Sequence, residues 1–196
     1  MKKLRSLLVL LLLALLLPQA ALAAGNESRH INYITDIFNE ENGLPTGEAN
    51  AIVQSRSGYI WVGSYGGLLR YDGSTFVDFS SALASSAIRA LYESQAQALY
   101  IGTNDAGAYR LENDEFRQLL AADSYSFLCI RGFAEGRDGT VYVASPSGAA
   151  RISGDALIPY TYPELSGVRL LSVAVDSFGN LWAMSDAGGL YIFNDE

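Results

Sequence analysis

Gly58-Tyr59-Ile60-Trp61-Val62-Gly63-Ser64 decides the architecture of this chain, because its pattern returns three more times. Trp61, Tyr100, Tyr142 and Trp182 anchor the four copies, 39, 42 and 40 residues apart. A period of that size builds one four-stranded propeller blade per repeat. The columns around the anchors repeat as well. Gly58, Gly139 and Gly179 stand three residues before the aromatic, where a hairpin turn needs positive φ, and Gln97 alone breaks that column. Ser64, Thr103, Ser145 and Ser185 follow three residues after it, and Gly67, Gly107, Gly148 and Gly189 then reopen the chain.

Each copy reads as a strand buried on both faces, since aromatic and small residues share one side and aliphatics the other. Leu99 and Ile101 flank Tyr100, and Val141 and Val143 flank Tyr142, while Gly63, Gly102 and Ala144 hold the small position two residues beyond the aromatic. A sheet clamped between two neighbouring sheets needs that composition. A β-sandwich with coincidental spacing is the competing architecture, but sandwich strands rarely recur with fixed turn glycines.

The first copy continues into a longer match, comprising Glu41-Asn42-Gly43-Leu44-Pro45, Ala51-Ile52-Val53, the decisive stretch itself, and Gly67-Leu68-Leu69-Arg70-Tyr71-Asp72-Gly73. This resembles the two-component regulator propeller repeat, whose signature runs from a Gly-Leu-Pro lead through Gly-x-Leu-Trp-Ile-Gly-Thr to Gly-Leu-x-Arg-Tyr-Asp-Gly. The likeness covers about residues 41 to 196, closely at first and loosely later. It departs at Gln97, at Leu111-Glu112-Asn113, at Tyr142 and at Met184. The resemblance implies an all-β propeller of seven or more blades, serving as an extracytoplasmic sensor ahead of a membrane span and a histidine kinase or diguanylate cyclase output.

Residues 1–23 read as a signal peptide: Lys2, Lys3 and Arg5, then an apolar run from Ser6 to Leu17, then Ala21-Leu22-Ala23 as cleavage site. The competing reading is an uncleaved membrane anchor. Either one puts the repeats outside the cytoplasm, in the periplasm or on the extracellular side. Residues 24–46 form a lead-in with a strand over Ile31–Phe38, and residues 47–196 a partial propeller with blades near 47–80, 86–119, 128–162 and 168–196. The fourth copy lacks an outer strand matching Phe76-Val77-Asp78-Phe79, so the sequence reads as an N-terminal fragment of a longer receptor.

Without the leader the formal charge goes from −8 to −11, which argues against nucleic acid or an anionic membrane surface as partner. Cys129 is the only cysteine and reads as a buried strand residue beside Phe127, Leu128 and Ile130. His30 is the only histidine, so no histidine pair exists to hold a metal. No nucleophile elbow, phosphate loop, zinc-spaced cysteine set or calcium loop occurs, and adjacent carboxylates such as Asp114-Glu115 point apart. The expectation is a non-enzyme without cofactor or metal; a glycosidase with carboxylates drawn from separate blades is the minor alternative.

Propeller geometry places the start of each inner strand, and the loop after each second strand, on one face around the central axis. The first set comprises Asn50, Arg89, Arg131 and Arg169, and the second Tyr65, Asn104, Asp105, Ser147 and Asp186. Converging guanidiniums favour a carboxylate, sulfate or acidic sugar. Aromatic rings with amides and carboxylates suit a saccharide or peptide. The plainer reading pairs these arginines with carboxylates between blades. Two functions follow: a small-ligand sensor, or a scaffold that docks another protein or forms a homodimer.

Overall fold

The anchor strands of the first three copies are buried on both faces, and hydrogen bonding gathers the short strands of the repeats into sheets that follow one another along the chain. The computed structural model describes residues 35–122, 126–161, 163–165 and 167–193, and the chain from Ile37 onward forms one unit. The leader, His30 and residues 31–34 lie outside the described residues.

The first sheet has the order β1 (Ala51–Gln54), β2 (Ile60–Ser64), β3 (Gly67–Tyr71), β4 (Phe76–Asp78), antiparallel throughout. The second copy gives β5 (Ile88–Glu93), β6 (Leu99–Thr103), β7 (Ala108–Glu112) and β8 (Glu115–Ala121). The third gives β9 (Gly132–Glu135), β10 (Val141–Ser145), β11 (Gly148–Ser153) and β12 (Ala156–Pro159). The fourth contributes β13 (Leu170–Val175), β14 (Leu181–Ser185) and β15 (Leu190–Phe193). The inner strands β1, β5, β9 and β13 neighbour one another in that order, so the sheets stand like blades around an axis. The repeat did not foretell one join. The outer strands β8 and β12 pair in parallel through Leu120 and Ala121, fusing the second and third copies into one eight-stranded sheet.

The small column explains how the blades nest. A Cβ on Gly63 would sit 2.5 Å from Ile88 Cγ2, and one on Gly102 would sit 2.7 Å from Ile130 Cγ2. Each copy thus leaves a notch for a branched aliphatic at or just before the start of the next inner strand, and Ala144 shares a core cluster with Leu170 in the same way. Ile88, Ile130 and Leu170 are fully buried as a result. Met184 holds this position in the fourth copy. No described sheet packs on it, and Met184, Leu190 and Ile192 stay 46%, 64% and 50% exposed along that flank. The opposite end differs: Phe38 packs its ring against Tyr71 and Phe76, covering part of the first sheet. Residues 35–38, the described end of the strand expected over Ile31–Phe38, are not strand, and no described sheet edge pairs with residues 35–39.

Gln97 keeps the geometry of the glycine column, with φ +67 against +92, +83 and +95 at Gly58, Gly139 and Gly179. Holding a side chain in the left-handed region costs about 1 kcal/mol, which the surrounding hairpin supplies. In the fourth copy the left-handed residue is Gly188 and not Gly189. Cys129 also departs from expectation. It sits half-buried in a bend before β9, with its thiol 3.8 Å from Asn104 Oδ1, because the strand starts only at Gly132.

Three hairpin turns are tied by carboxylates. Asp72 Oδ1 accepts from the Thr75 and Ser74 amides, Asp138 accepts from the Thr140 hydroxyl and amide, and Asp176 accepts from Trp182 Nε1, Asn180 Nδ2 and two backbone amides. The Thr75 amide bond foremost at Asp72, the Thr140 hydroxyl at Asp138 and the Trp182 indole at Asp176 hold all three carboxyls below their ordinary range. A depressed folded pKa adds stability that is fully present above the unfolded value, about 4, and is lost as pH falls through the folded value. The thermal midpoint should therefore drop steeply on the acid side of pH 4, and Asp176→Ala should lower it at pH 7 while making the acid limb shallower. An unchanged acid limb in that variant would rule the assignment out.

Candidate functional site

Strand irregularity aims the polar groups of the loop face. The β5–β6 register slips between Ile88 and Ala90, and the β13–β14 register slips between Leu170 and Ser172. The bulged residues are Arg89 and Leu171. An extra residue in one strand redirects its side chain out of the pleat, and Arg89 is so presented beside the loops.

Three of the expected residues come together there. Arg89 Nη1 donates to Tyr65 Oη at 3.0 Å and to Asn104 Oδ1 at 3.2 Å, joining an inner strand to the β2–β3 and β6–β7 loops. Asn50 Nδ2 donates to the Ile88 carbonyl at 3.0 Å, which ties the start of β1 to the strand that carries Arg89. Cys129, which the sequence placed in the core, also reaches Asn104, its thiol 3.8 Å from Oδ1. Tyr65 remains 42% exposed, so the ring is open to solvent above the cluster.

The remaining candidates divide. Arg169 Nε pairs with Asp186 Oδ2 at 2.9 Å in the loops beside the fourth sheet, so that guanidinium already has a carboxylate partner. Arg131 bonds its backbone amide to the Ala144 carbonyl, while its buried Nε has no hydrogen-bond partner among the described residues. Asp105 and the Ser147 side chain lie exposed on their loops and make no side-chain bond to the cluster. Carboxylate pairing between blades does occur, but at a residue the sequence did not single out: Arg110 bonds Asp155 Oδ1 at 2.7 Å.

The loops themselves are fixed from below by the hydroxyl column. Thr103 Oγ1 accepts from the Ala106 amide and donates to the Gly107 carbonyl, Ser64 Oγ accepts from Gly66, Ser145 Oγ from Ser147, and Ser185 Oγ from Gly189. All four hydroxyl residues are buried. A rigid floor beneath exposed polar tips suits recognition, since the loops need little ordering when a ligand arrives.

Residues 43–66 match the family described as two component regulator propeller. No curated protein sequence matches the chain. Among solved structures, the extracellular domain of BT4673 from B. thetaiotaomicron, assigned as a one component system, aligns at 21% identity and TM-score 0.68, covering 83% of this chain and 24% of that one. Virginiamycin B lyase from Staphylococcus aureus aligns at 12% identity and TM-score 0.61, covering 77% of this chain and 57% of the lyase. The WD40 β-propeller domain of Doa1 aligns at 14% identity and TM-score 0.62, covering 76% and 52%. At these identities the likeness establishes the propeller fold, and the chain spans only part of each relative.

Proposed function

We propose that this chain, whose residues 43–66 are a two component regulator propeller repeat, is the exported sensing module of a signal-transduction receptor and binds a small ligand without transforming it. The leader and the extracellular setting of the BT4673 domain support the location. The Arg89 fork carries the ligand reading, because it is braced by Tyr65 and Asn104 and not neutralised by a carboxylate. A guanidinium held that way presents its remaining donors to an anionic or polyhydroxylated ligand. Ligand contact that favours one packing of the loops would then bias the receptor's population of states.

The test is a calorimetric titration with D-galacturonate. Saturable heat in the parent chain, lost in the Arg89→Ala, Arg131→Ala double variant at nearly unchanged thermal midpoint, is the expected result. A large fall in midpoint would assign these arginines to structure instead.

The exposed flank of Met184, Leu190 and Ile192 favours a second reading, a scaffold that pairs two copies of the propeller. Sedimentation velocity would then show concentration-dependent association that Leu190→Lys removes; a monomer at all concentrations excludes it.

A further inference from the structure

Away from the loop face, between the first and second sheets, lies a cleft of about 370 Å³ lined by Tyr59, Trp61, Arg70, Glu93, Asn113 and Asp114 among others. We propose that this cleft binds a small monocarboxylate, with its carboxylate on the Arg70 guanidinium. Arg70 projects from β3 beside Trp61 of β2, and its Cζ lies 4.3 Å from the Tyr59 ring centre and 5.0 Å from that of Phe79. Aromatic faces hold a cation in place but offer its N–H groups no acceptor in the guanidinium plane. The Arg70 guanidinium forms no hydrogen bond or ion pair with any described residue, and its Nε is buried.

The next junction shows what this position demands. Arg110 pairs with Tyr100 across β6–β7 as Arg70 pairs with Trp61 across β2–β3. Its Nε also lacks a hydrogen bond, but Nη1 donates to the Gly154 carbonyl at 3.0 Å and Nη2 to Asp155 Oδ1 at 2.7 Å. Those acceptors sit on the two-residue turn between the last two strands of the following copy. The equivalent turn facing Arg70 is Asn113-Asp114, held at φ +52 and +62, and it lines the cleft without touching the guanidinium. One junction is therefore closed by a carboxylate of the protein, while the other keeps a stacked guanidinium and an open space of ligand size.

The surroundings narrow the ligand. Glu93, Glu112 and Asp114 line the cleft, so a second negative charge on the ligand would be repelled, whereas hydroxyls or an ammonium would find acceptors. A hydroxy acid of monosaccharide size and an α-amino acid share that chemistry.

The full chain labelled with 5-fluorotryptophan has two fluorine resonances, Trp61 in the cleft and Trp182 in the fourth sheet. Titration with D-glucuronate and L-serine should shift the Trp61 resonance saturably with at least one of them, leaving Trp182 in place. Which probe binds distinguishes sugar acid from amino acid. Arg70→Gln should weaken binding at least about tenfold, the loss expected for a charge-assisted bond. Ala96→Phe, on an exposed turn at the cleft, should do the same without altering the core, and serves if Arg70→Gln fails to fold. Equal binding of D-glucose, or no Trp61 shift with either acid, overturns the proposal. The loop-face titration does not read Trp61, so either site can fail alone.

Discussion

Gly102→Val is expected to destabilise the chain by about 3 kcal/mol, a fall of roughly 6–12 °C in thermal midpoint for a protein of this size. Strand preference alone predicts the opposite sign, because glycine inside a strand costs about 0.5–1 kcal/mol and valine is among the best strand formers. Sterics win because a Cβ at residue 102 would stand 2.7 Å and 2.9 Å from Cγ2 and Cβ of Ile130 and 3.2 Å from Cβ of Ala90. Ile130 is fully buried and cannot swing clear. The second and third copies must instead move apart at this point, and Arg131 on the loop face moves with its neighbour. Ile130→Ala opens space at the same point. Alone it should cost about 2–5 kcal/mol as a cavity, yet the double variant should be less destabilised than the sum of the two. Additive losses in a denaturation series would show that residue 102 does not meet Ile130.

Period and burial were legible because they are local. A 40-residue spacing, a turn glycine and a small residue two places beyond an aromatic are each set by contacts within one blade or with its successor, so they recur in the sequence. Gln97 shows the limit of residue identity: the backbone conformation persists where the glycine does not. The join of β8 to β12 was illegible, since Leu120 and Ala121 find their partners 36 residues away through outer strands whose sequences do not repeat.

The site was legible in part for the same reason. Aligning copies on their anchors located Arg89, Tyr65 and Asn104, and the structure ties these three together. Alignment could not say that Arg169 is consumed by Asp186, because Asp186 lies in a loop whose side-chain direction depends on local geometry. Nor did it single out Arg70. The arginine of Arg-Tyr-Asp-Gly was visible as a motif, but its open guanidinium emerges only by comparison with Arg110, whose partners lie 44 and 45 residues downstream.

Thr103→Val is expected to cost about 2–3 kcal/mol although it preserves shape and removes only a hydroxyl. The residue is fully buried at the end of β6, where Oγ1 accepts from the Ala106 amide at 2.9 Å and donates to the Gly107 carbonyl at 2.8 Å. That carbonyl keeps a second donor, the Thr103 amide at 2.9 Å, so it stays satisfied. The Ala106 amide has no such reserve, and a valine leaves it without an acceptor in a half-buried loop. Thr103→Ser retains the oxygen and should cost only about 1 kcal/mol for the lost methyl, in keeping with the serines at residues 64, 145 and 185. Amide hydrogen exchange separates the two explanations. Protection at Ala106 should fall in Thr103→Val and hold in Thr103→Ser, whereas equal loss in both would assign the effect to packing. The loop it braces carries Asn104, one of the two acceptors of the Arg89 fork, so Thr103→Val should also weaken galacturonate binding at the loop face while the Trp61 resonance keeps its response to the cleft ligand.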